Sequence, residues 1–340
     1  IEQIRDRIET SPQFIFLRDD AQTSLPDFCE YEYESMLQQA DADYQFQDFD
    51  ENTVATTFYT TGTTGMPKGV YFSHRQLVLH TLATLAALST STEQGRFHQQ
   101  DVYMPITPMF HVHAWGFPYI ATAVGVKQVY PGKYVPNTLL HLLDSEGVTF
   151  SHCVPTILHM LMASPEFEKL DLSRWKVVIG GAAMPKKLCQ AAKAKGIDIF
   201  SGYGMSETCP VLTLAHVGNE ELSDEEDTEI RCKTGRPLPL VQLRVVDEQM
   251  QDVPSDGESV GEIVVRAPWL TQGYWKDSRN SENLWKGGYL HTGDVAHLND
   301  RKYVNITDRM KDVIKIGGEW LSSLELEDII NLHPAVSEVA

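Results

Sequence analysis

Trp175-Lys176-Val177-Val178-Ile179 is a short apolar run, Pro185 to Ala194 is a helical stretch, and Ile197-Asp198-Ile199-Phe200 is a second short run. The first is too short and too rich in β-branched residues for a helix, so it reads as a buried strand closed by Gly180-Gly181. Strand, helix and strand in that order predict a parallel pair joined by a crossover helix. The same alternation extends outward from Thr53 to Gly204. Asp101 to Ile106, Lys127 to Tyr130 and Val148 to His152 read as strands; Trp115 to Val124, Asn137 to Leu143 and Thr156 to Met162 read as helices. The expected fold class is α/β, with parallel-rich sheets and crossover helices, and ligands in such sheets sit at the carboxyl ends of strands.

Beyond Gly235 the texture changes. Val241 to Asp247, Val260 to Arg266, Gly288 to His297 and Lys302 to Ile306 read as short strands between turns rich in Asp, Gly and Asn. That pattern predicts an antiparallel, β-rich subdomain. The charged segment Asp308-Arg309-Met310-Lys311-Asp312 follows. The chain ends at Ala340, too soon after it for a further domain of about 100 residues. The expected division is 1–234 for the α/β part, 235–310 for the β-rich part, and 311–340 for a hinge and the beginning of another domain.

Against 28 Lys+Arg stand 47 Asp+Glu, a formal charge of −19. That balance argues against broad nucleic-acid binding but leaves room for a local basic pocket around a small anion. The acidic run Glu220 to Glu229 reads as a solvated loop. Five cysteines (Cys29, Cys153, Cys189, Cys209, Cys232) without CxxC spacing suit a reducing compartment. No apolar stretch reaches bilayer length, since Leu77 to Leu88 is broken by His80, Thr81 and Thr84. No signal-peptide pattern is present, the first residue is Ile rather than Met, and the expected location is cytoplasmic.

Thr60-Thr61-Gly62-Thr63-Thr64-Gly65-Met66-Pro67-Lys68-Gly69 follows the strand-like Thr57-Phe58-Tyr59 and precedes an apolar helix expected near His74. Glycines let backbone N–H groups close on phosphate oxygens, threonine hydroxyls can donate to the same oxygens, and Lys68 adds positive charge. A helix N-terminus capped by Ser73 favours an anion nearby. The loop is not a Walker A loop, which ends in Gly-Lys-Ser/Thr. A flexible Gly/Thr surface loop has the same composition, so the loop alone leaves both readings open.

The string Tyr59 to Val70 resembles the signature of the AMP-forming acyl-CoA synthetases, a superfamily that includes luciferases and peptide-synthetase adenylation domains. Four more segments match in the family's order: Gly180-Gly181-Ala182, Gly202-Tyr203-Gly204-Met205-Ser206-Glu207-Thr208, His291-Thr292-Gly293-Asp294, and Asp308 to Asp312 with Lys315 to Trp320. Pro108 to Gly116 and Gly317-Gly318-Glu319-Trp320 carry a narrower likeness to the medium- and long-chain fatty-acyl-CoA synthetases. The resemblance implies a large adenylate-forming domain with a β-rich, distorted-barrel subdomain, followed by a small α+β domain. It also implies two half-reactions at one site: ATP activates a carboxylate as an acyl-adenylate, then CoA takes the acyl group and releases AMP. The first sets an anion against an anion, so charge neutralisation and alignment matter more than a protein base.

By the same resemblance, Thr60 and Glu207 are the magnesium ligands, hydroxyl and carboxylate being suitable hard donors. Lys68, Glu207, Lys311 and Lys315 are the candidate catalytic residues, with Lys311 at a hinge between large and small domains. Thr60, Thr61, Gly62, Thr63, Thr64, Gly65 and Lys68 would hold the phosphates, and Ser206 the α-phosphate. Gly181, Ala182, Gly202, Tyr203 and Gly204 would form the adenine slot, and Asp294 and Arg309 would take the ribose hydroxyls. His111, Trp115 and Gly181 would border the acid, and Gly317, Gly318 and Trp320 the CoA channel. His111 and His113 also have the spacing of two metal ligands on one strand face, without a third ligand. The family's late C-terminal lysine has no counterpart here, and the 340 residues alone are expected to bind ATP weakly and catalyse poorly. Expected partners are a small carboxylic acid, ATP and CoA, with a homodimer left open for the intact protein. Two other readings stay open: an adenylation domain loading a carrier protein, and a non-catalytic nucleotide- or acyl-binding relative.

Overall fold

The computed structural model describes residues 3–10, 12–18, 23–60, 66–91, 95–218, 221–312, 314–316 and 319–321. By internal contacts the chain divides into two units, Ile1–Asp50 and Glu51–Ala340. In the first, β1 (Ile15–Phe16) and β2 (Tyr31–Glu32) pair in parallel, and Glu32 caps the helix Tyr33–Gln39 by accepting from Glu34 and Ser35 N–H groups. Everything that follows concerns the second unit.

It opens on an antiparallel hairpin, β3 (Val54–Thr60) with β4 (Lys68–Ser73), and only then enters the helix His74–Thr90. This corrects the expectation that the phosphate loop leads directly into that helix. Thr60 pairs with Lys68 at the loop end of the hairpin, and Val54 with Ser73 at the other. At about 3.4 Å per residue, the helix begins roughly 17 Å from the loop. Its dipole, which fades beyond the first turn, therefore does not serve the loop. Ser73 still caps the helix, in a reciprocal box with Gln76.

The main sheet contains β5 (Val102–Pro105), β6 (Lys127–Gln128), β7 (Phe150–Cys153), β8 (Lys176–Ile179), β9 (Asp198–Gly204), β10 (Val211–Leu214) and β11 (Arg236–Pro237). Their spatial order is β11-β10-β9-β8-β7-β5-β6. Pairings from β6 to β9 are parallel, and β10 and β11 add antiparallel strands at the other edge. Alternation along β7 to β9 sorts the side chains. Val177, Ile179 and Ile199 join one apolar cluster, while Phe150, Val178 and Phe200 join another. The first cluster holds Leu139, Leu140 and Leu143 from helix Pro136–Ser145, Leu158 and Leu161 from Pro155–Met162, and Leu188 and Ala192 from Lys186–Ala194. Covered on both faces, these strands need near-continuous apolar sequence, which is why they were legible. Each fully buried Leu or Val contributes about 1.5–3 kcal/mol relative to exposure.

On the opposite face, the core continues into an antiparallel sheet of β12 (Gln242–Val246), β13 (Val260–Arg266), β14 (Leu290–Leu298) and β15 (Val304–Arg309), in that order. Ile263, Val265, Leu290 and Ala296 pack into the same cluster as Phe150 and Phe200. A short hairpin, β16 (Ile314–Ile316) with β17 (Glu319–Leu321), follows. Among the described residues no helix is long and apolar enough to cross a membrane.

The acidic run read as a solvated loop is instead largely the helix Asp224–Cys232, with Ser223 and Glu226 forming its capping box. Asp227 bonds both Lys193 and Arg231, and Arg231 reaches Asp198 on β9 at 2.8 Å. Thr228 and Ile230 are buried beneath it. The four acidic residues of its first turn complement the helix dipole.

Candidate active site

The carboxyl ends of β8 and β9 open into a cleft with ≈ 450 Å³ of empty space, its open mouth included. Gly180, Gly181, Tyr203, Ser206, His111 and Trp115 are among its walls. The glycines are there because backbone and indole approach too closely for a side chain. A methyl group on Gly180 would lie 3.0 Å from both the Gly202 carbonyl oxygen and Trp115 Cη2. Gly202 and Gly204 line the same opening, whereas Ala182 follows Gly181 into an exposed bend and does not line it.

Tyr203, on β9, donates its hydroxyl to Asp294 Oδ2 at 2.6 Å. Asp294, on β14, pairs across the ladder with Arg309 of β15, whose Nε lies 3.4 Å from Asp294 Oδ1. Burial raises the carboxyl pKa of Asp294, opposed by the Tyr203 bond and the Arg309 charge. The phenol of Tyr203 is pushed well up, by burial first and then by Asp294. It therefore stays a donor. Three residues from separate sequence motifs thus meet where the two sheets join. Glu262, which the sequence reading missed, orients the turn beneath Asp294: it accepts from Gly293 N–H at 3.1 Å and bonds His291 Nδ1 at 2.8 Å.

Glu207 sits in a single 3-10 turn, Ser206–Thr208, and is 7% exposed. Among the described residues no Lys, Arg or His forms an ion pair with it; its described side-chain bond is from the Tyr274 hydroxyl to Oε1, 2.7 Å. Buried carboxylates are normally paired or metal-bound, and this one has a neutral donor and, among the described residues, no cationic partner. A hard divalent cation fits that environment. Lys68 Nζ stands over the ring of the same Tyr274, 4.7 Å from its centroid. Thr60 ends β3 opposite Lys68. Thr61, Gly62, Thr63, Thr64 and Gly65 lie outside the described residues. Tyr274 was not foreseen, since its partner Glu207 is 67 positions away.

On the acid side, His111 is exposed and Trp115 is 7% exposed. Between them the chain makes a left-handed turn, with φ of 49°, 57°, 47° and 59° from Val112 to Trp115. That conformation costs about 1–2 kcal/mol per non-glycine residue. The expected helix is present as Phe117–Val124, and one expectation is corrected: His111 and His113 are not on a strand face. His113 Nε2 instead shares a 2.9 Å hydrogen bond with Thr56 Oγ1. Among the described residues no three His, Cys, Asp or Glu side chains gather as a metal cluster.

Trp115 lies against the ring of His152 at 5.0 Å. His152 bonds Tyr103 Oη at 2.7 Å and Thr107 Oγ1 at 3.1 Å, and burial pushes its pKa down to about 3. His80, which accepts from Val211 N–H at 3.1 Å, is likewise held at about 3, by burial first and then by His113. Both imidazoles titrate near 6.5 once unfolded, so between pH 6.5 and 3 the unfolded chain binds more protons. Their stability contribution is complete above about pH 6.5 and is lost as pH falls. Going from pH 7 to pH 5 should remove about 2 kcal/mol per histidine and lower the urea midpoint. An unchanged midpoint across that interval would contradict neutral burial.

Lys311 is exposed, with Asp312 at 3.8 Å. Lys315 pairs with Trp320 in the β16–β17 register. Gly317 and Gly318 lie outside the described residues.

A model of the family described as AMP-binding enzyme matches residues 9–275. The chain is 41% identical to a long-chain-fatty-acid–CoA ligase of Thermus thermophilus, with 100% of this chain and 61% of that protein covered. It is 38% identical to a 3-methylmercaptopropionyl-CoA ligase of Ruegeria lacuscaerulensis, covering 99% of this chain and 62% of the relative. The chain thus spans about three fifths of the length of these relatives. Among solved structures, an anthranilate CoA ligase, AuaEII, in complex with anthranoyl-AMP superposes with a TM-score of 0.79. At 22% identity, over 99% of this chain and 61% of that one, this is a likeness of fold.

Proposed function

We infer, because the chain belongs to the AMP-binding enzyme family, that the protein carrying it activates a medium- or long-chain aliphatic acid with ATP and transfers it to CoA. A carboxylate oxygen attacks the α-phosphorus, the bond to the β-phosphate oxygen breaks, and pyrophosphate leaves. The CoA sulfur then bonds the acyl carbon, and AMP departs with the electrons of the acyl–oxygen bond.

The observation that carries this reading is the meeting of Tyr203, Asp294 and Arg309 beside the glycine-walled strand ends. Tyr203 stacks on adenine, and Asp294 with Arg309 takes the ribose hydroxyls. Ser206 meets the α-phosphate, and Lys68 with the Thr61–Gly65 stretch holds the β- and γ-phosphates. A magnesium ion held by Glu207 and Thr60 would supply charge neutralisation at the phosphate oxygens. Trp115, His111 and Gly181 border the acid, whose alkyl chain suits the apolar surroundings. Lys311 serves as hinge, and Lys315 with Gly317, Gly318 and Trp320 borders the thiol route. All five cysteines are free, which supports a cytoplasmic setting.

Pyrophosphate exchange into ATP by the intact protein, run across aliphatic, aryl, thioether and amino acids, tests this. Aliphatic acids should support exchange and amino acids should not, and CoA should accept the acyl group where a phosphopantetheine carrier protein does not. Exchange driven only by amino acids, or transfer only to the carrier, would overturn it.

A further inference from the structure

The segment 271–275 stitches together two parts of the phosphate end of the site. Thr271 N–H donates to the Glu207 carbonyl at 3.0 Å, and Trp275 N–H donates to the Gly69 carbonyl at 2.7 Å. Val70 and Tyr274 form an antiparallel bridge. The backbone of Tyr274 is thus held between Glu207 and the return strand of the phosphate hairpin by bonds that do not involve its side chain.

From that position the side chain reaches both groups. Its hydroxyl donates to Glu207 Oε1 at 2.7 Å, and its ring face lies 4.7 Å from Lys68 Nζ. An ionised carboxylate only accepts, so the phenol is the donor of this pair. A neutral donor is the suitable partner here. An Arg or Lys at this place would neutralise the carboxylate and compete with a divalent cation, whereas a phenol occupies one oxygen and leaves the charge intact. The ring attracts an ammonium more weakly than a phosphate does, so it can orient Lys68 without withholding it.

We propose that Tyr274 is the positioning residue of the cation and phosphate site. Its hydroxyl orients the Glu207 carboxylate toward the metal, and its ring holds the Lys68 ammonium at the end of β4 opposite Thr60. The proposal rests on the assignment of Glu207 as a cation ligand.

Tyr274→Phe retains the ring and the backbone bonds and removes only the hydroxyl. In the intact protein, Mn²⁺ affinity at saturating ATP, read from the free-ion electron paramagnetic resonance signal, should fall 10- to 100-fold, the usual effect of losing such a partner. Affinity for ATP without divalent cation should stay within about twofold, because the ring–Lys68 contact survives. Tyr274→Leu should weaken both. Wild-type Mn²⁺ affinity in the Phe variant would overturn the proposal, as would equal losses with and without cation, which mark a merely structural role. If the wild-type protein bound ATP with no cation dependence, the assignment of Glu207 would fall first and the role of Tyr274 with it.

Discussion

Glu207→Gln in the intact protein should reduce acid-dependent pyrophosphate exchange by about 10²- to 10³-fold, the scale seen when one electrostatic group of a transition state is removed. The carboxylate is 7% exposed and, among the described residues, forms no ion pair. A charge buried this way is costly unless something cationic arrives to meet it. A glutamine has the same shape, and its amide oxygen can still accept from the Tyr274 hydroxyl, 2.7 Å away in the parent. Removing a buried charge that no described cation pairs should leave thermal stability unchanged or raised. Activity and stability therefore move apart, which distinguishes this residue from an ordinary buried partner. An exchange rate equal to that of the parent would remove Glu207 from its metal role.

Gly204→Ala should have the largest effect on stability. The added methyl carbon would lie 1.8 Å from the Pro210 carbonyl oxygen and 2.5 Å from its carbon, both backbone atoms. Gly204 pairs with Val211 at the β9–β10 junction, where the register shifts. Thr208 Oγ1 donates to the same Pro210 carbonyl, so displacing that carbonyl also disturbs this bond. A loss of about 3–5 kcal/mol, at the extreme of single substitutions, is expected in urea unfolding. Gly202→Ala is the comparison: its methyl would meet the side-chain carbons Val178 Cγ1 at 3.0 Å and Leu214 Cδ2 at 3.2 Å. Side chains can shift, so a cost of about 1–3 kcal/mol is expected there. Equal costs for the two would show that the Pro210 backbone is more pliant than its contacts indicate.

Some local signals were present but were read without their partners. Val70-Tyr71-Phe72 is a β-branched and aromatic run, yet its place just after a Gly-rich loop hid a strand that exists by pairing with β3. Ser223 and Glu226 spell a capping box, but the density of acidic residues masked the helix. That helix is held by Arg231 reaching Asp198, 33 positions away, and by Lys193 reaching Asp227. The turn from Val112 to Trp115 had only a weak local signal. Of its four residues only His113 is of a type enriched at positive φ, and surrounding packing, with Trp115 against Gly180 and His113 bonded to Thr56, imposes the turn.

The parallel strands β5 to β9 and the helices between them were determined by the amino-acid sequence alone, whereas the edge strands β10 and β11 and the meeting of Tyr203, Asp294 and Arg309 were not. Burial on both faces writes itself into short apolar runs, and Tyr203, Asp294 and Arg309 stand in motifs legible only through their resemblance to a known family. Only the tertiary structure decided how Glu207 is held, that Tyr274 reaches from Glu207 to Lys68, and that Trp115 lies across Gly180. These depend on atoms brought together from 65 or more positions apart in the chain, and no local pattern encodes a distance of that kind.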